Sequence, residues 1–313
     1  MCRKEWPVQT SLKRDVQFVG IGLHSGRPAR MTLKPATAGS GVRFCRVDVT
    51  DRDPFIPARF DLVSDTQLNT RLTNAGHVSV STVEHLMAAI AGTGLHNVLV
   101  EIDGPEVPIM DGSARRFVHD ILMAGLVTTR APLRAWKVDR EITFEDGGAS
   151  ATLRPSDAFT IDFEIDFSDP AIGRQARRLD MANGAFLREL ADCRTFCRRA
   201  EVDYMQAHGL ALGGSLDNAV VVDGAEVLNP GGFRRTDECV RHKMLDALGD
   251  LALAGAPVLG AYEGRRAGHG VTNRLLRKAF ATPGALRLVE VTPEIAARLP
   301  GSGLLPADLA AVG

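Results

Sequence analysis

Apolar and polar residues alternate through residues 10–49, as in Ala29-Arg30-Met31-Thr32-Leu33-Lys34, and Gly and Pro interrupt the runs at short intervals. A period of two places every apolar side chain on one face of an extended segment, so this region is predicted to be short strands joined by turns. The connection Gly20-Ile21-Gly22-Leu23-His24-Ser25-Gly26 is glycine-rich, but it lacks the Lys-Ser/Thr ending and the following helix of a phosphate loop. The period then lengthens. Ser81-Thr82-Val83-Glu84 has the form of a capping box and predicts a helix over 81–91, closed by Gly92 and Gly94. A strand is predicted over 98–102, then a helix over 114–124 with Phe117, Ile121 and Leu122 on one face.

Residues 128–134, polar and ending near Pro132, mark the expected boundary between two domains. Beyond it, 136–144 and 149–153 read as a hairpin around Glu145-Asp146-Gly147-Gly148. A strand is predicted over 159–167, helices over 194–206, 238–254 and 272–280, and a last strand over 286–291. Each half runs from strands to helices, which predicts α+β architecture twice, in domains 1–130 and 131–313. The similar order hints at a duplicated fold, although no residue-level repeat carries it. From Pro300 onward the residues are small and apolar and read as a flexible tail.

Composition narrows the class. A length of 313 residues suits two domains, and 45% hydrophobic with 24% charged residues is ordinary for a globular chain. Aromatics make up only 5%, so Leu, Val, Ile and Ala must build the core. A formal net charge of −1 gives no electrostatic reason to expect nucleic acid or an anionic membrane as partner. The pairs Arg177-Arg178 and Arg198-Arg199 read as solvated surface or as phosphate contacts. Five scattered cysteines, Cys2, Cys45, Cys193, Cys197 and Cys239, do not form a disulfide framework and point to reduced thiols. The residues after Met1 lack the apolar run of a signal peptide, and no stretch approaches the roughly 20 apolar residues of a spanning helix. A cytoplasmic chain is expected, with a monomer as the default.

The chemistry concentrates in three places. His242 and Asp246 are four apart in a helical pattern and project from one face, and Asp250 extends the stripe by a turn. An imidazole and a carboxylate so placed suit zinc, and equally suit a surface pair. His85 would complete a three-ligand set with a position left for water, and Glu84 beside it would take that water's proton. Taken alone, the same two residues read as a core histidine and a capping carboxylate. Gly268-His269-Gly270, in a predicted loop, offers a general acid that Asp250 would orient, or a turn histidine. Spacing does not show that these three regions meet.

At these residues the chain resembles the UDP-3-O-acyl-N-acetylglucosamine deacetylases of lipid A biosynthesis. The resemblance rests on ordered blocks from about Thr10 to Phe280. They are Gly22-Leu23-His24-Ser25-Gly26, Ser81-Thr82-Val83-Glu84-His85-Leu86, and Asp103-Gly104-Pro105-Glu106-Val107-Pro108-Ile109-Met110-Asp111-Gly112-Ser113. They continue with Arg194-Thr195-Phe196, Leu212-Gly213-Gly214-Ser215, Val240-Arg241-His242-Lys243 with Asp246, and Gly268-His269. The resemblance implies two similar domains forming a β-α-α-β sandwich, with the active site at their junction. It implies zinc held by His85, His242 and Asp246, Glu84 as base, and Thr195 as an oxyanion donor worth roughly 3–4 kcal/mol. It further implies that His269, supported by Asp250, protonates the leaving amine or stabilises charge, and that Lys243 and Arg266 meet polar parts of the substrate. An insert at about 200–229 would form a passage for the acyl chain, with Phe196, Leu210, Ala211, Leu212 and Gly214 as wall positions. The implied reaction is release of acetate from UDP-3-O-(3-hydroxyacyl)-N-acetylglucosamine, the committed step of lipid A biosynthesis. The chain departs from the family pattern at Asn69, Cys239 and Ala267, where Cys, Phe and Ser are usual. A pocket kept for binding without turnover, or a different acetylated sugar substrate, are the alternatives.

Overall fold

The computed structural model describes residues 7–304 together with Asp308 and Ala310. In the first half, strands Val16–Ile21, Pro28–Pro35, Val42–Arg46, Phe55–Pro57 and Val98–Ile102 form a sheet in the order first, second, fifth, third, fourth. In the second half, Ile142–Asp146, Ala149–Arg154, Thr160–Asp166, Arg174–Asp180 and Ala261–Arg265 take the same order. Directions agree too. In both sheets the fifth strand runs antiparallel to the second and parallel to the third. The halves therefore repeat one topology. Sequence comparison misses this because a sheet is specified by which positions face the core, not by which apolar residue fills them.

Helix α1 (Glu84–Thr93) precedes the fifth strand of the first sheet and α2 (Arg115–Ala124) follows it. After the short α3 (Ala185–Glu189) and α4 (Arg199–Ala207), α5 (Glu238–Ala252) and α6 (His269–Ala281) flank the fifth strand of the second sheet in the same way. Helix α1 packs along α5, with α2 beside α1 and α6 beside α5, and α5 and α6 lie on the second sheet. This is a β-α-α-β sandwich. Leu33, Phe44 and Val100 of one sheet, Leu153, Ile161 and Phe163 of the other, and Leu86, Met87, Leu245 and Leu248 between them belong to one buried cluster. Because α1 lies in the middle layer it is buried on nearly every side. The α1–α5 approach is close enough to require Gly249, where a Cβ would lie 2.0 Å from the Glu84 carbonyl oxygen.

Each half carries an insertion between its fourth strand and its first long helix. In the first half it is a small sheet of Val63–Asp65, Arg71–Thr73 and Ser79–Val80. In the second it contains α3, α4 and a sheet of Phe196–Arg198, Val220–Asp223 and Glu226–Val227.

Several expectations need correction. The polar stretch 128–134 is extended: Leu126–Pro132 pairs with Val8–Leu12, and Arg134–Val138 lies between Val258–Leu259 and Leu286–Glu290. Its polar residues, Thr128 and Arg130 among them, are exposed on an outer strand. Trp136 is not in the hairpin, whose arms are Ile142–Asp146 and Ala149–Arg154. Residues 194–198 are not helical, because Phe196–Arg198 is held as a strand on Val220–Asp223 and only α4 continues as helix. No capping box closes α1 either. Val83 is its N-cap without a side-chain hydrogen bond, and Gly94, left-handed at φ 71°, ends it. Residues 300–304 are packed rather than loose, with Gly301 against Gly94 and the Gly184 amide donating to the Ser302 carbonyl. The rest of the expected tail, the segment before Pro7, and Cys2 lie outside the described residues, apart from Asp308 and Ala310. Among the described residues the four cysteines are free, and no helix is long and apolar enough to cross a membrane.

Candidate metal centre and active site

Helix α5 presents His242 and Asp246 one turn apart, and α1 presents His85 from its first turn. His242 Nε2 and His85 Nε2 stand 3.3 and 3.6 Å from the same oxygen, Asp246 Oδ1. The three buried side chains offer ligand atoms within 4.8 Å of one another. Asp246 Oδ1 has no hydrogen-bond partner among the described residues, whereas Oδ2 accepts from Lys243 Nζ at 2.7 Å. His242 Nδ1 lies 3.0 Å from the Cys193 carbonyl, which only accepts, so the proton sits on Nδ1 and Nε2 keeps its lone pair. Burial pushes His242 down to about 3 and keeps it neutral, the form a metal needs. The two separations match edges of a tetrahedron with ligand bonds of about 2.0–2.2 Å. A buried anionic oxygen without a donor also calls for a cation. The residues fit a metal ion.

A closed ring of polar groups adjoins this triad. The Thr70 amide donates to Glu84 Oε2 at 3.0 Å, and the Thr70 hydroxyl donates to Asp250 Oδ1 at 2.6 Å. Asp250 Oδ2 is bonded to His269 Nδ1 at 2.8 Å, and His269 Nε2 lies 3.8 Å from Glu84 Oε1. Burial pushes the Glu84 carboxyl up, against the opposing charges of His269 and His85. Burial also opposes charge on His269, but the carboxylates of Asp250 and Glu84 outweigh it and raise the imidazole to about 9. It is therefore an imidazolium at neutral pH. His269 is not in a loop, as its glycine neighbours suggested. It is the first residue of α6, with Gly268 as N-cap.

Loops bring Thr195 and Arg266, strand Phe196–Arg198 brings Phe196 and α5 brings Lys243 to the same 310 Å³ cavity, which they line with Glu84, His269 and the metal triad. Thr195 is fixed through its backbone, donating to the Gly112 carbonyl and accepting from the Val220 amide, both at 2.8 Å. The Phe196 ring stands edge-on to Phe167 at 5.5 Å and to His242 at 6.3 Å. Asp250 stands behind His269. Gly214 is the exception: it is exposed and lies outside the cavity lining, next to Leu23. Leu212 is 57% exposed.

Three supports were missed in the sequence. Thr70 joins Glu84 to Asp250, and its only signal was its place next to Asn69, where the family pattern has Cys. Glu106 accepts from the His24 and Ser25 amides and from the Thr82 hydroxyl, which fixes the His24 turn against the entry of α1. Thr82 there holds a left-handed φ of 57°. Glu238 is buried and binds both the amide and the guanidinium of Arg194, securing the segment whose Cys193 carbonyl orients His242. A carboxylate that serves backbone amides across the fold has no local pattern to betray it.

Residues 9–281 match the family described as LpxC: UDP-3-O-acyl N-acetylglycosamine deacetylase. A UDP-3-O-acyl-N-acetylglucosamine deacetylase of Anaeromyxobacter sp. (strain Fw109-5) is 49% identical over 303 residues, covering 96% of this chain and 98% of its own. Its counterpart in Phenylobacterium zucineum (strain HLK1) is 48% identical over 288 residues, with 92% and 98% covered. That of Pasteurella multocida (strain Pm70) is 44% identical over 283 residues, with 90% and 92% covered.

Proposed function

The chain belongs to the UDP-3-O-acyl N-acetylglycosamine deacetylase family and deacetylates UDP-3-O-acyl-N-acetylglucosamine in the lipid A pathway, and we propose that it does so as a zinc hydrolase through the residues of the 310 Å³ cavity. One observation carries the proposal: a buried His-His-Asp set, whose carboxylate has an oxygen without a hydrogen-bond partner among the described residues, stands beside the buried Glu84 carboxylate and the His269 imidazole. His85, His242 and Asp246 would hold the zinc. Bound there, zinc supplies Lewis acidity to the acetamide carbonyl and to water.

The protein's own groups divide the proton work. Glu84 Oε2 is held by the Thr70 amide, which leaves Oε1 to take a proton from water as its oxygen attacks the acetamide carbon. Burial raises the proton affinity of this carboxyl, which favours the transfer. The Thr195 hydroxyl, on a backbone fixed at both its amide and its carbonyl, donates to the oxygen that becomes negative. His269 presents Nε2–H to the same space while Asp250 holds Nδ1–H. It stabilises the developing charge, or gives its proton to the amine nitrogen as the C–N bond breaks and acetate leaves. Lys243, anchored on Asp246, and Arg266 at the rim supply positive charge for the polar parts of the substrate, and Phe196 supplies apolar wall for the acyl chain.

The test is acetate release from UDP-3-O-acyl-N-acetylglucosamine by zinc-loaded protein, beside Glu84→Ala and His269→Ala. Turnover that falls by orders of magnitude in both variants while each still binds zinc supports the assignment. Turnover that survives either change, or that survives removal of the metal by a chelator, overturns it.

A further inference from the structure

A second cavity, of 420 Å³, opens further along the molecule's two central helices. Met87, Ile90 and Ala91 of α1 and Leu248, Leu251 and Ala252 of α5 line it. On both helices these residues follow the metal set: Met87 comes two residues after His85, and Leu248 two after Asp246. The space shares no lining residue with the catalytic cavity and is distinct from it. Its walls are completed by apolar residues from both halves, including Val42, Leu133, Trp136, Phe159 and Val258. The volume lies within the roughly 300–1,000 Å³ of small-molecule sites.

The polar side chains at its edge fall into two groups. Most are committed to the fold. Gln9 accepts from the Gly39 amide and from Asn97 Nδ2, Asn97 Oδ1 accepts from the Gly41 amide, and Arg59 is paired with Asp61. Trp136 Nε1 donates to the Ala254 carbonyl. Two donors are uncommitted. Arg134 is exposed and has no side-chain hydrogen bond or ion pair among the described residues. His96 accepts the Thr10 amide on Nδ1 at 3.1 Å, so its proton is on Nε2, which has no partner among the described residues. The Thr10 hydroxyl does not alter this, because it donates to the Gly94 carbonyl. Burial lowers His96 to about 4, which keeps that tautomer neutral at physiological pH.

An apolar chamber whose unspent side-chain donors, among the described residues, are a cation and an N–H has a defined complement. We propose that this cavity binds a single medium-length acyl chain ending in a carboxylate, with the chain between α1 and α5 and the carboxylate at Arg134 and His96. The argument is charge complementarity. Both uncommitted groups donate, neither accepts, and the remaining wall gains only from apolar contact.

Zinc-loaded protein carrying Trp6→Phe, which leaves Trp136 as the sole tryptophan, is titrated with sodium dodecanoate and followed by tryptophan emission and calorimetry. The expected result is saturable binding with one equivalent sensed by Trp136. Arg134→Gln, a change at an exposed position, weakens it about tenfold or more, equivalent to at least about 1.4 kcal/mol. Ala252→Phe, which fills the chamber from α5, abolishes it. Dodecanol, which has no charge, binds more weakly than dodecanoate in wild type. The proposal is overturned if Trp136 gives no saturable response, if both substitutions leave binding unchanged, or if dodecanol binds as tightly.

Discussion

Thr70 gives its amide to one carboxylate and its hydroxyl to another, and so ties Glu84, the proposed base, to Asp250, the partner of His269. Thr70→Val keeps the amide and the shape but strips a buried carboxylate of a donor, a loss of about 1–3 kcal/mol. Its expected signature is a reduced kcat with unchanged zinc content, read by acetate release and metal analysis. Glu84→Gln removes the proton acceptor at nearly constant volume and is expected to lower kcat about 10²–10⁴-fold. The pH profile tests His269 separately. The imidazole must be protonated to act, so activity is expected to fall as pH rises through about 9. Asp250→Asn removes the leading cause of the elevation, and the alkaline limb then moves toward the ordinary 6.5. The same group stabilises the fold in full below pH 6.5, and that contribution is lost as pH rises through about 9. Residue types and spacing made Glu84, His85, His242, Asp246 and His269 readable as chemistry. Their meeting around one cavity was not readable, because it depends on a helix crossing between distant parts of the chain.

That crossing is set by the absence of a side chain. At Gly249 a Cβ would fall 2.0 Å from the Glu84 carbonyl, so α1 and α5 must separate to admit one. Gly249→Ala is expected to destabilise the protein by about 1–3 kcal/mol and to loosen zinc, since His85 rides on one helix and His242 and Asp246 on the other. Thermal melting and a competitive chelator assay check both effects. Among the elements, the long periodic segments were legible, and 238–254 and 98–102 were found within two residues of their predicted ends. The failures share a cause. Ser81-Thr82-Val83-Glu84 looks like a cap, yet Ser81 meets Arg71, Thr82 meets Glu106, and Glu84 meets Thr70. Tertiary partners claimed the side chains that a local rule assigns to the helix end. Likewise 194–198 carries helical periodicity but is held straight by pairing with Val220–Asp223 and by the Arg194–Glu238 bond.

At the scale of the molecule, one metal ligand comes from the first half and two from the second, so zinc would act as a clasp between them. At free zinc a thousandfold above its Kd, the stabilisation is expected to be about 4 kcal/mol, seen as a higher melting temperature that a chelator reverses. His85→Ala is expected to abolish that increment, although His242 and Asp246 remain. The α+β class was legible because both halves pass from strands to helices. The equivalence of the halves was visible only in strand order and direction. Both insertions occupy the same joint of that repeated plan, between the fourth strand and the helix that follows. From there the first delivers Leu68 and Thr70 toward the catalytic cavity and the second delivers Thr195 and Phe196. The sandwich is a chassis with two matching sockets, and parts of the cavity wall are plugged into them. A change in either plug would alter what the cavity accepts, while the frame that positions His85, His242 and Asp246 stays as it is.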